Sequence, residues 1–271
     1  MSTDGEAPVD RTPALFVPHG DAWLPTAYSR GPWSPLALHG GPVAALVTRA
    51  FEQVEAPVPA RLARVTLELL RPVPLVPLEV RTEVVRPGAK VATLDASVVR
   101  TDDGTTVAIA RAQRIRTTPV ELPDGVDEHV PELPAQRTEL ADWPGAADVT
   151  FHGHAVEHRF LSGEFGRPGP AFDWMRLLVP VVPGEVPTGW QRAAATADFT
   201  NGISSVVAFD GSAVFINPDL TVHLWREPKG EWIGNDAVTR TSDEGIGQSD
   251  ATLWDGHGRI GRGMQSLLLD R

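Results

Sequence analysis

The chain has 271 residues, 42% of them apolar, a formal net charge of −11 and no cysteine. That length holds one large domain or two ordinary ones, and the missing cysteines exclude disulfides and thiolate chemistry. The acidic balance argues against a nucleic-acid partner, because nothing neutralises phosphates in bulk, although local arginines can still hold one phosphorylated ligand.

The opening MSTDGEAPVDRTP lacks a basic start and an apolar core, so no signal peptide is expected. No apolar run is long enough to span a bilayer, and a cytoplasmic protein without a membrane partner is expected. Residues 37–54 (ALHGGPVAALVTRAFEQV) predict a helix. Gly40 and Gly41 lie at its mouth, Pro42 suits its first turn, and Val43, Leu46, Val47, Ala50 and Phe51 form one apolar face. Strands are predicted at 62–71, 77–86, 90–100 and 105–117, the last two joined by the turn Thr101-Asp102-Asp103-Gly104.

Residues 119–147 contain five prolines, seven acidic residues and one arginine without periodicity, and read as a connector. The plan then repeats. Strand-like pieces occur at 155–161 and 171–179, and a helix is expected at 197–209. Further strands are expected at 219–226, 231–240, 246–255 and 259–269. Leu220, Val222 and Leu224 stand 155 residues after Val65, Leu67 and Leu69, Thr221 matches Thr66, and Gln265 falls near Gln113. One large constant offset means a duplicated unit, so repeats are expected at 1–118 and 148–271 around a 119–147 linker. At the same offset Asp219 is matched by Arg64.

An apolar helix followed by strands on short turns is best buried by wrapping an antiparallel sheet around it. The His-Gly-Gly helix entry, the Thr-containing strand ending in Arg and the Asp-Gly turn before the last strand resemble the hotdog fold. Two copies in tandem resemble the double-hotdog acyl-CoA thioesterases of the type II class. The resemblance implies an α+β fold, a tandem hotdog whose central helices are each wrapped by antiparallel sheet. It also implies hydrolysis of an acyl-CoA thioester by a water held on an Asp, a hydroxyl and a Gln. Carried over, these are Asp219, Thr241 or Ser242, and Gln265. A carboxylate accepts the water's proton while the other groups orient its lone pair.

The helix entries imply the groups that bind the acyl carbonyl, with His39 and Gly41 in the first copy and Asn201 and Gly202 in the second. Arg61, Arg64 and Arg71 are candidates for a rim that takes the CoA phosphates. No cofactor and no metal are expected. His152, His154 and His158 share a face if extended, but lack an accompanying carboxylate or cysteine pattern. Gly256–Gly261 spells GxGxxG but lies between two strands, without the helix end that would hold a pyrophosphate. A homodimer or higher assembly is expected, because sheet edges and helix flanks remain to be covered. Two other functions fit the scaffold. One is non-catalytic acyl or CoA binding. The other is hydration of a 2-enoyl thioester, whose motif Asn217-Pro218…His223 only echoes.

Overall fold

The computed structural model describes residues 9–121, 129–140, 148–208 and 214–270. Its first half contains β1 (Phe16–His19), β2 (Ala22–Pro25), α1 (Gly40–Gln53), β3 (Ala60–Leu69), β4 (Leu78–Arg86), β5 (Val91–Arg100) and β6 (Thr106–Arg116). The second contains β7 (Val156–Ser162), β8 (Ala171–Leu177), α2 (Gly189–Ala197), α3 (Thr200–Ser204) and β9 (Val214–Ile216), then β10 (Asp219–Leu224), β11 (Trp232–Thr241), β12 (Ile246–Asp255) and β13 (Gly258–Asp270). All strands join one antiparallel sheet in the order β1-β2-β4-β5-β6-β3-β10-β13-β12-β11-β8-β7, with β9 on β13. Period-two burial along β3, β5 and β12 places alternate side chains on the helices and on the outer face.

The repeats meet where β3 pairs with β10, and the register sets Thr66 opposite Thr221. These are repeat-equivalent residues, so a pseudo-twofold axis passes between them, and Thr221 Oγ1 donates to Thr66 Oγ1 at 3.2 Å. The axis defines equivalence better than sequence does. Val65 pairs with Ala112, whereas the register Thr221↔Met264 carries Leu220 onto Gln265. Ala112, and not Gln113, is therefore the counterpart of Gln265. Gln113 sits one residue along and faces outward, since a one-residue step flips the face.

Helices α1 and α2 run side by side under the sheet, and one apolar core containing Leu46, Phe51, Leu94, Trp190, Phe199 and Leu253 spans both repeats. The second repeat's helix begins at Gly189, not at 197, and breaks after Ala197. The break has a local cause. The hydroxyls of Thr196, Thr200 and Ser204 bond back to the carbonyls of Arg192, Ala197 and Thr200, competing with the helix ladder. The nine residues of α2, GWQRAAATA, offer alanines and one tryptophan as their apolar groups, too little bulk to mark a core helix in the sequence.

Part of the connector is not a free linker. Thr138 N–H bonds His158 O and Arg159 donates to Pro134 O, so this segment lies along β7 and covers that edge strand. Residues 122–128 and 141–147 of the connector lie outside the described residues.

Candidate functional site

Asp198 occupies the break between α2 and α3, and its side chain is only 4% exposed. Burying a carboxylate is costly unless donors replace its water. Three side chains from three elements surround it. Asn217 Nδ2 reaches Asp198 Oδ1 at 2.8 Å, Gln265 Nε2 reaches the same oxygen at 3.0 Å, and His39 Nδ1 lies 2.7 Å from Oδ2. His39 comes from the first repeat and the other two from the second.

Each partner is itself fixed. Gln265 Oε1 accepts Asn201 N–H at 3.2 Å and the Ser249 hydroxyl at 2.9 Å. Those donors settle which end of the amide is oxygen and turn the NH2 toward Asp198. Gln265 Nε2 also donates to Asp198 O at 3.2 Å, a side chain inserted where the helix ladder is interrupted. His39 caps α1, with Gly41 N–H 3.1 Å from its Nδ1. A ring nitrogen holds either a hydrogen or a lone pair, so Nδ1 serves Asp198 or Gly41 but not both. With its hydrogen on Asp198, the Gly41 N–H at the helix entry is released.

Glycine at 40 and 41 follows from this crowding. A Cβ on Gly40 would lie 2.8 Å from the Asp198 carboxylate, and one on Gly41 only 2.3 Å from Ala195 O. Phe151 and Phe199 flank the His39 ring at centroid distances of 5.0 and 4.7 Å and wall the site with apolar surface.

Several candidates lie elsewhere. Asp219 accepts the Ser266 N–H at 2.7 Å and stands on the outer face with Thr221 and His223, opposite to the inward Gln265. Strand alternation keeps Asp219 and Gln265 on different faces, so the carboxylate beside Gln265 is Asp198. Thr241 and Ser242 lie at the exposed end of β11, and Ser242 closes a turn by donating to Ile246 O. The buried hydroxyl of that strand is Thr239, which bonds Ser204 at 2.9 Å and Asn201 Oδ1 at 3.3 Å. Asn201 thus holds the network behind Gln265, and Gly202 lies within α3, not at a helix entry. Arg61 lines a groove at the far end of the β3–β10 seam, Arg64 lies on the outer face, and Arg71 is exposed beyond β3. His223 is outward and exposed, away from Asp198.

The three spaced histidines serve local structure. Residues 151–155 form a π-helical turn, His154 Nδ1 accepts Thr150 N–H, and His158 is sealed against Asp173 at 2.5 Å. Burial raises the Asp173 pKa, and the His152 carbonyl fixes His158 Nε2 as a donor. Burial, with nearby His39 and His158, pushes His152 down to about 3. Its folded pKa lies below the unfolded value of about 6.5, so its contribution is intact above that pH and is lost on acidification. Between pH 7 and pH 5 it should cost on the order of 2 kcal/mol, and His152→Asn should flatten that part of the urea-unfolding pH profile.

Residues 29–115 match the acyl-CoA thioesterase N-terminal domain, and residues 127–269 match the acyl-CoA thioesterase C-terminal domain. The chain belongs to the acyl-CoA thioesterase family and is a hydrolase. The fold agrees. An acyl-CoA thioesterase II from Mycobacterium marinum superposes with TM-score 0.63 at 16% identity, covering 86% of this thioesterase and 90% of that chain. A hot dog fold protein of Alicyclobacillus acidocaldarius gives TM-score 0.69 at 15% identity over 94% and 96%. The same fold carries other chemistry. A dehydratase domain from Mycobacterium tuberculosis matches with TM-score 0.51 at 13% identity over 97% and 91%. No curated protein sequence matches this thioesterase significantly. Among the described residues, no helix is long and apolar enough to cross a membrane.

Proposed function

We propose that this thioesterase hydrolyses an acyl-CoA to free acid and CoA with a water activated by Asp198. The observation that carries the reading is the convergence of His39, Asn217 and Gln265 on one buried carboxylate. Asp198 accepts the water's proton, while the Gln265 amide, with both N–H bonds on Asp198, holds the carboxylate and the second N–H of Asn217 orients the water. The attacked carbonyl gathers negative charge on its oxygen. The Gly41 N–H at the α1 N-terminus is the donor best placed to meet it, since Pro42 has none. Collapse of the tetrahedral species expels the CoA thiolate, and the proton taken from water returns to it.

Hydration of an enoyl thioester is disfavoured, because His223 points away from the carboxylate. Free-thiol release from a panel of acyl-CoAs tests the reading, and no release from any member would refute it. Within that assay, Gln265→Ala should lower turnover by about 10- to 100-fold, by loss of the two hydrogen bonds that hold Asp198 in place. Gln113→Ala should change it little. Equal losses from the two would mean that the water is held elsewhere.

A further inference from the structure

The pseudo-twofold axis through Thr66 and Thr221 implies a second position equivalent to the Asp198 site, at the N-terminus of α2. The reactive groups do not recur there. Thr188 caps α2 as His39 caps α1, Leu62 stands at the sequence offset of Asn217, and Ala112 replaces Gln265. The place is nevertheless open. Adjoining cavities of about 620 and 530 Å³ share Arg61, Leu62, Trp190 and Glu227.

The lining of the second cavity is specific. Arg61, Arg116 and Arg262 are all exposed there, in a protein whose overall charge is −11. Arg262 has a loose contact with Asp250 at 3.8 Å. Arg226 is already committed to Asp255 through two bonds of 2.5 and 2.7 Å, so it shapes the wall. Glu227 is the one carboxylate of that lining. Trp225, an aromatic ring 64% exposed, stands beside the arginines. Guanidinium groups lining one groove suit phosphate oxygens, and an exposed indole suits the face of a nucleobase.

We propose that this groove binds the phosphorylated end of an adenine nucleotide and performs no hydrolysis. The base stacks on Trp225 and the phosphates meet Arg61, Arg116 and Arg262. The occupant is either the nucleotide end of CoA or a free nucleotide, which share this chemistry. The proposal rests on the hydrolysis reading only for where reaction occurs, and it is tested separately by binding.

Calorimetric titration of the full chain with ADP at low salt should show saturable binding. The Arg61→Ala/Arg116→Ala variant should weaken it by about tenfold or more, and Trp225→Leu by about tenfold. Asp198→Asn should leave ADP binding unchanged even where it abolishes thiol release. These side chains are exposed, so the variants should fold, and unchanged unfolding midpoints check that. If the arginine variant also raises KM for an acyl-CoA at constant kcat, the groove holds the substrate's own nucleotide. If KM is unmoved, the occupant is a free nucleotide. The proposal is overturned if millimolar ADP does not bind the parent chain, or if the arginine and tryptophan variants bind it as the parent does.

Discussion

Asp198→Asn is expected to lower thiol release by about 10²- to 10⁴-fold, the range for removing a positioned general base. Asparagine keeps the size of the side chain, and its oxygen can still accept from Asn217 or Gln265. The fold should therefore survive, with an unfolding midpoint close to the parent's. Asp219→Asn provides the contrast. That side chain accepts the Ser266 N–H on the outer face, away from Gln265, and its replacement should alter turnover by no more than about twofold. A severe loss from Asp219→Asn with near-normal turnover in Asp198→Asn would reverse the assignment.

A large loss of stability is expected from Gly41→Ala. The added methyl would lie 2.3 Å from Ala195 O and 2.9 Å from the Phe151 ring. Neither neighbour is the free end of a flexible chain: one is α2 backbone and the other is fully buried. Helices α1 and α2 must move apart, at about 3 kcal/mol, the upper end for overpacking a core. For a chain of this size that lowers Tm by roughly 6–12 °C. The same shift carries His39 and the α1 entry away from Asp198, so turnover should fall along with stability. A thermal scan matching the parent would show that the helices do not meet as closely here.

The scaffold was legible in the sequence because period-two alternation and turn residues are local properties. The strands from 62 to 117 and from 219 to 269 follow them closely, and the repeated Thr66 and Thr221 mark the axis joining the halves. The site was less legible, because its groups meet only through the fold. Asp198 is the only acidic residue in 189–208, within an Ala-rich apolar stretch, and that isolation was the available signal. Asp219 stands out in the sequence because it follows Asn-Pro and opens a clean strand. The duplication in the sequence, with a small gap, sets Gln265 against Gln113, whereas strand pairing sets it against Ala112. Only strand pairing fixes which face a residue takes. The helix break at Asp198 depends on hydroxyl-to-carbonyl bonds that no periodicity reveals.

In the proposed mechanism one reaction site is assembled from both repeats, His39 from the first and Asp198 from the second. A double-mutant cycle on acyl-CoA thiol release tests it most directly, with kcat measured for His39→Ala, Asp198→Asn and the pair together. Residues that act as a unit give non-additive losses. A shared site predicts a double variant no slower than Asp198→Asn alone, within about threefold. A double variant whose loss equals the product of the two single losses would show that His39 and Asp198 act independently, and would contradict it.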